Sequence, residues 1–465
     1  MNPYLPLSEY VPDGEPHVFG DRVYVYGSHD KFNGFAYCLN DYVCYSASID
    51  DLTSWRYEGV IYKKTDDPEN LSGEMCLYAP DVVRGEDGRY YLYYALDKLP
   101  IISVAVCDSP AGQYEFLGYV KYKDGIRLGE KGIEDPQFDP AVFIENGKVY
   151  LYTGFGGFND PGRKGMMVTV LDSDMLTIIE NPTFIMPSEA YAKGTEFEAH
   201  PFFEAPSIRK VGDDYYLLYS SVVMHELCYA KSKSPTQDFH FGGVVVSNND
   251  IGISSYKPAN KPMYYGGNNH GGIEKIKDQY YVFYHRHTNG SNFSRQGMIE
   301  PIKILESGEI PQVEMTSQGA RVKPFEATGE FSTAIACNLF CNVEEMYSAP
   351  FDLWMNNDFP KITQDGSDLY PEESYIANMR NGATAGYKYF KFNQNHTISV
   401  KTRGYAIGSM EIRLSVDGPV LGEIPVGYTN VWVEKSVDID FPNGVFPLYL
   451  SYKGSGSVSV LSFKF

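Results

Sequence analysis

Five short stretches of this 465-residue chain decide its fold. They are GDRVYVYGSHD (residues 20–30), DGRYYLYYALD (87–97), NGKVYLYTGFG (146–156), GDDYYLLYSS (212–221) and KDQYYVFYHRH (277–287). Each joins a turn of Gly, Asp, Asn or Lys to a Tyr-rich strand, the punctuation expected between short strands. Anchored on Tyr24, Tyr91, Tyr150, Tyr216 and Tyr281, the copies lie 67, 59, 66 and 65 residues apart. Helix signals are few. Five copies of about four strands each predict an all-β chain that opens with a five-bladed β-propeller, where radial repetition leaves only short protected edges. The period exceeds the ~40–45 residues of a WD40 repeat, so long loops are expected on one face.

The repeat ends after Tyr284, and residues 291–318 are expected to supply strands that close the ring. From about Phe331 the texture changes. Ser409–Val416 alternates, with Met410, Ile412, Leu414 and Val416 on one face, and runs into the turn Asp417-Gly418-Pro419. Val431–Ile439, Pro447–Tyr452 and Ser457–Phe465 read as further strands. We therefore expect a propeller over residues 1–316, a linker over 317–329 and a jelly-roll β-sandwich over 330–465.

Composition narrows the function. Lys and Arg total 39 and Asp and Glu total 60, a net charge of −21. Such a surface repels phosphate backbones and anionic membranes, which argues against nucleic-acid and membrane partners. A neutral ligand fits better. The 39 Tyr suit half-buried strands, and their rings also suit sugar faces. The seven Cys are an odd number without zinc-finger spacing and are expected as free, mostly buried thiols. The N-terminus carries no signal-peptide pattern, and no apolar run approaches a membrane span. The expectation is a cytoplasmic chain, and a homo-oligomer is compatible with it.

About ten to twelve residues before each anchor Tyr stands a polar residue beside Pro or Gly. The set is Asp13, Asp81, Asp139, Glu204 and His270. In a propeller the innermost strands line the central channel, so residues in matching register converge on the axis. A lone Asp-Pro merely starts a strand or makes a turn. Four acids and a His in register across five repeats instead predict a carboxylate cluster. One carboxyl held neutral and one held ionised is what glycosidic cleavage requires, and a third can keep the acid's pKa up.

These segments resemble glycoside hydrolase family 43. The resemblance rests on Asp13 before a strand, Tyr78-Ala79-Pro80-Asp81-Val82, Phe138-Asp139-Pro140, Glu204-Ala205-Pro206-Ser207-Ile208 and Asn269-His270-Gly271, and covers about residues 4–310. It implies a five-bladed propeller and an inverting mechanism. By the same resemblance Asp13 is the general base, Glu204 the general acid, and Asp139 the carboxylate that orients and tunes the acid. It further implies that Arg295 contacts substrate and that His270 helps hold a largely water-coordinated Ca2+ in the channel. Glu15 stands beside the same Pro-apolar step as Asp13 and is the alternative base. Asp13 is preferred because its distance to the anchor equals that of Asp139.

His29 and Asp30 end the first Tyr-rich strand, where they either line the pocket rim and touch substrate or close a turn. Tyr78 either stacks on a sugar or packs in its strand. His285 and His287 share one strand face, as a metal pair or as structural histidines. The C-terminal segment resembles a family 6 carbohydrate-binding module through Asn381-Gly382, Gly386–Tyr389, Met410–Val416 and Val445–Tyr452. There Trp432 matches a module aromatic or sits in the core.

The resemblance implies an exo-acting glycoside hydrolase on pentose oligosaccharides. α-L-Arabinofuranosidase is the first expectation and β-xylosidase the alternative. A non-catalytic sugar-binding propeller is the reading from another class. A phosphorolytic propeller would need an anion pocket, and no clustered Arg or Lys supplies one.

Overall fold

The computed structural model describes residues 1–132, 135–253, 261–341 and 359–465. Four antiparallel four-stranded sheets follow one another in chain order, and a three-stranded sheet completes the propeller. The first blade is β1 (Glu15–Phe19), β2 (Arg22–Tyr26), β3 (Tyr42–Ser48) and β4 (Asp51–Tyr62). The second is β5 (Leu77–Arg84), β6 (Tyr90–Leu96), β7 (Ile102–Cys107) and β8 (Glu115–Tyr119). The third is β9 (Ala141–Glu145), β10 (Lys148–Thr153), β11 (Gly165–Leu171) and β12 (Ile178–Pro187). The fourth is β13 (Phe202–Val211), β14 (Asp214–Ser221), β15 (Glu226–Ser232) and β16 (His240–Ser247). The fifth has β17 (Ile273–Ile276), β18 (Gln279–His287) and β19 (Arg295–Ile302).

Each repeated phrase is the turn between the first and second strands of a blade plus the second strand itself. Those second strands are largely buried on both faces, as with the fully buried β6. Their continuous apolar runs follow from that burial. The ring closes where the N-terminus lies along β19. Asn2 donates from Nδ2 to the Ile299 carbonyl at 2.9 Å and accepts at Oδ1 from the Ile299 N–H at 2.9 Å. Tyr4 N–H reaches the Gly297 carbonyl at 3.2 Å.

In its described residues the C-terminal region is built of strands, as expected, with one short 3-10 helix at Thr333–Ile335. Its strands are β20 (Phe325–Glu326), β21 (Glu330–Ser332), β22 (Asn338–Phe340), β23 (Lys361–Gly366), β24 (Pro371–Met379), β25 (Thr384–Phe392), β26 (Thr397–Arg413), β27 (Gly422–Val426), β28 (Thr429–Asp438) and β29 (Gly444–Lys464). They form one hydrogen-bonded set of ten. The two last expected strands are the single 21-residue β29. It runs antiparallel to the 17-residue β26 through Gly454 and Gly456, where backbones come so close that a Cβ on Gly456 would stand 1.9 Å from the Tyr405 carbonyl oxygen. Met410 and Ile412 are buried, while Leu414 and Val416 lie beyond the strand end and are half-buried. Trp432 is outside the core. It is half-buried, with the Arg403 guanidinium 4.2 Å over its ring.

Propeller and C-terminal region share one hydrophobic core, in which Tyr264, Val282 and Tyr284 pack with Phe359, Ile376 and Tyr387. The segment expected as a linker packs here too. Ser317 N–H donates to the Lys388 carbonyl at 3.0 Å, and β20 pairs in parallel with β25. Buried Lys388 bridges back to Asp250 at 2.6 Å. Arg286 of β18, fully buried, donates to the carbonyls of Ala334 and Ala336. Cys38, Cys44, Cys76, Cys107 and Cys228 are free thiols, and five of the seven cysteines are buried. Among the described residues no helix is long and apolar enough to cross a membrane.

Candidate active site

Inner strands β1, β5, β9, β13 and β17 surround the propeller axis, and a pocket of roughly 580 Å³ opens at one end of it. Asp13, Asp139, Glu204, Asn268, His270 and Arg295 are among its polar groups. Tyr37, Tyr78, Phe138, Phe155, Phe158 and Phe203 form much of its wall. Successive rings in that wall touch, with centroids 5.3 Å apart for Tyr78–Phe138, 5.4 Å for Phe138–Phe155 and 5.0 Å for Phe155–Phe203. Aromatic walls with a few convergent polar groups suit a sugar, whose ring faces are apolar and whose hydroxyls are not.

Backbone geometry aims the acids. Asp13 and Asp139 each precede their strand by two residues and have left-handed φ values of 57° and 45°. Asp tolerates that region better than most residues. Glu204 lies inside β13, but the pairing with β14 slips between Glu204 and Ser207, and Ala205 has φ 69°. Such a bulge re-aims the preceding side chain. Asp139 Oδ2 accepts the Ala205 N–H at 3.2 Å and so anchors the peptide beside Glu204.

Arg295 organises the floor. Its Nη1 donates to Asp13 Oδ1 at 2.9 Å, while Nε and Nη2 donate to the two oxygens of Asp30, each at 2.9 Å. Burial would push the Asp13 carboxyl up, but Arg295, with help from His285, outweighs it and holds Asp13 well below the usual range. Asp139 is pushed well up by burial and by the charges of Glu204 and Asp13. Glu204 is raised to about 7, first by burial and then by the Asp13 charge. His270 is lowered to about 4, chiefly by burial, and is therefore neutral. Its Nδ1 lies 3.7 Å from Asp139 Oδ2 and 4.0 Å from Asp13 Oδ1. The pocket thus sets a permanently ionised carboxylate against a pair of carboxyls that retain a proton near neutrality.

Several expectations are corrected here. His29 is away from the pocket, with Nε2 3.0 Å from Glu9 Oε1 and Nδ1 2.9 Å from the Asp41 carbonyl oxygen. Asp30 lies beneath the pocket, where its fully buried carboxylate is consumed by Arg295. Asp81 shares the register of the other acids but not their place. It sits inside β5 opposite Tyr93, bonds His17 at 2.7 Å and accepts the Val142 N–H at 2.7 Å. Glu15 belongs to that lower layer as well, paired with Arg209 at 2.7 Å and Ser207 at 2.9 Å, so it is not the pocket carboxylate. Tyr78 does line the pocket. His285 and His287 both turn a ring nitrogen to Asn268 and are no metal pair. Sequence reasoning missed Tyr37 and Asn268. Both sit on connecting loops, and the only signal for Asn268 was its place two residues before His270.

The model of glycosyl hydrolases family 43 matches residues 6–310. The chain belongs to this family. As a family 43 member it is a glycoside hydrolase, and its five-bladed propeller is the fold of its family 43 neighbours. A xylosidase/arabinosidase from Thermoclostridium stercorarium is 62% identical over 463 residues, covering 100% of this chain and 98% of that protein. The structure of a family 43 arabinoxylan arabinofuranohydrolase from Bacillus subtilis, in complex with cellotetraose, superposes with a TM-score of 0.51. It is 20% identical and covers 100% of this chain and 97% of its own, a likeness of fold through both regions. A family 43 β-xylosidase/α-arabinofuranosidase from a compost metagenome, in complex with xylotriose in a calcium-free form, has a TM-score of 0.52. It is 26% identical over 66% of this chain and 96% of its own.

Proposed function

We propose that this enzyme is an exo-acting, inverting hydrolase that releases terminal α-L-arabinofuranosyl residues from arabino- or arabinoxylo-oligosaccharides. The observation that carries the reading is the convergence of Asp13 and Glu204 on one axial pocket, Asp13 bonded to Arg295 and Glu204 buried among carboxyls without a cationic hydrogen-bond partner of its own among the described residues. Glu204 protonates the departing glycosidic oxygen. Asp13 takes the proton of a water that attacks the anomeric carbon from the opposite face. Asp139, through the Ala205 N–H, holds the backbone that aims Glu204 and resists its ionisation. Below the pocket the axis is filled by Glu15, Arg209 and Ser207, which suits removal of one terminal sugar with the remaining chain leaving through the mouth. β-Xylosidase is the second reading, favoured by the double name of the 62% identical relative.

A calcium ion fits the residues present. His270 is a buried neutral imidazole beside two carboxylates, and it would hold an ion whose other ligands are mostly water. When bound, the ion supplies positive charge that favours ionised carboxylates.

Hydrolysis of p-nitrophenyl α-L-arabinofuranoside and β-D-xylopyranoside, with the first-formed anomer followed by NMR, tests the reading. Faster arabinoside cleavage with inversion is expected. Preference for the xyloside would favour the second reading, retention would overturn the mechanism, and hydrolysis of neither would overturn the assignment to pentosides.

A further inference from the structure

We infer that Asn268 is the positioning residue of the Glu204 carboxyl, and that His287, which cannot reach substrate, decides which way the Asn268 amide faces. The inference rests on the reading of Glu204 as the acid. Asn268 sits in the loop ahead of β17 and lines the pocket together with Glu204, whose pKa its amide draws down against burial and the Asp13 charge. An amide can present either its oxygen or its NH2 to a carboxyl, and the rest of the network makes that choice. His287 Nε2 lies 3.0 Å from Asn268 Oδ1. His287 Nδ1 is buried with no hydrogen-bond partner. If Nδ1 carried the proton, a donor would be orphaned, which is rarer in proteins than an under-used acceptor. The proton therefore sits on Nε2 and is donated to Oδ1. That leaves the NH2 of Asn268 for Glu204.

The surroundings hold both partners still. A Cβ on Gly267 would stand 2.3 Å from the His287 ring, so only glycine lets that ring lie flat against the loop. The Asn268 carbonyl takes His285 Nε2 at 2.7 Å and Asn248 Nδ2 at 3.2 Å. His285 Nδ1 in turn lies 3.3 Å from the Asp13 backbone nitrogen and 3.2 Å from Asp13 Oδ1, so one loop residue is tied to both sides of the reaction. His287 is held neutral by burial and by the nearby Arg295 charge, so the latch itself does not titrate in the working range. The charged or titratable groups that share the pocket with Glu204 include Asp13, Asp139, Arg295, Tyr37, His270 and Arg163. Asn268 brings an uncharged amide donor to them, and it favours the carboxylate that Glu204 becomes once its proton has gone to the leaving group.

The test compares Asn268→Ala, His287→Ala and His287→Gln with wild type, on one substrate with a poor leaving group and one activated aryl glycoside. A hydrogen bond to a developing charge is worth about 10–100-fold. Asn268→Ala should lose about that in kcat/KM on the poor leaving group and much less on the aryl glycoside, with its alkaline limb moved to higher pH. His287→Ala should shift in the same direction. His287→Gln should recover most of the loss, because the Gln NH2 can stand where Nε2–H stood. Carbon-13 titration of the Glu204 carboxyl, assigned by its disappearance in Glu204→Gln, reads the same bond without turnover and remains decisive if the activity reading fails. A higher Glu204 pKa in Asn268→Ala supports the inference. An unchanged one, or equal loss on both substrates, overturns it. If His287→Ala does not fold, the folded Asn268→Ala and His287→Gln pair decides: His287→Gln behaving like Asn268→Ala overturns the latch.

Discussion

Arg295 donates to Asp13 at 2.9 Å with the one nitrogen that Asp30 leaves it. Asp13 is therefore kept ionised by a cation that is itself immobilised from below. Two buried carboxylates share one guanidinium, which explains why Asp30 matters to the site without lining it.

Replacing Arg295 by Lys keeps a charge but not a fork that spans Asp30 and Asp13. Asp13 should then rise toward its ordinary pKa. The acid limb of kcat/KM should move to higher pH, and the rate at the optimum should fall about tenfold or more. A pH–rate profile checks this, and an acid limb left where it was would separate Arg295 from the ionisation of the base.

Glu204→Ala should slow poor leaving groups by about 10²–10⁴-fold and activated aryl glycosides far less. A departing phenolate needs little protonation, whereas a sugar alkoxide needs it badly. Uniform slowing across an aryl series would mean that Glu204 binds substrate instead of protonating it.

The wild-type alkaline limb should fall near pH 7, where Glu204 loses its proton. In Asp13→Asn the negative charge that raises Glu204 is gone. Its carboxyl should titrate lower by carbon-13 NMR, although that variant turns over little.

Glu300 gives a prediction about stability. It is buried and raised to about 8, first by burial. Its Oε1 accepts from Asn2 at 2.8 Å and from the Thr316 N–H at 2.7 Å. A carboxyl raised on folding stabilises fully below its unfolded pKa, and that help is lost as pH climbs through the folded value. The melting temperature should fall between about pH 5 and pH 9, and Glu300→Gln should flatten that fall. Parallel melting curves for both proteins would argue that Glu300 ionises normally.

Metal analysis should find about one divalent ion per chain. Dialysis against a chelator should lower activity or melting temperature, and His270→Ala should lose the ion. A chain free of metal that neither melts nor works differently would leave His270 a purely structural residue.

The repeat was legible because blades reuse one strand pattern, and Asp13, Asp139, Glu204 and His270 followed from it. Asp81 shows where register reasoning stops. Its spacing matches, but its residue lies inside β5, just past a slip in the pairing with β6, while Asp13 and Asp139 stand in left-handed backbone just outside theirs. Spacing to an anchor cannot tell these two backbone states apart. Glu15 and Asp13 are two residues apart and were separable only by depth along the axis. Tyr37, Asn268 and Phe158 come from loops, whose paths depend on contacts distant in sequence. The partner of Arg286 was hidden for the same reason, being backbone carbonyls almost fifty residues further on.

Arg286 also stands between His285 and His287, and both of those reach Asn268. Its guanidinium is spent on carbonyls of the C-terminal region, and Asp250 of the propeller is neutralised by Lys388 from the same region. A gene fusion that exchanged the C-terminal half for a stranger would leave the propeller two buried charges stripped of part of their partners, with Gln296 left to Arg286 and the Met315 N–H to Asp250, one of them adjacent to the histidines of the site. In descent, then, the two halves must travel together or change together, and a shortened enzyme ending near residue 316 should be inherited as a loss of folding before it is noticed as a change of specificity.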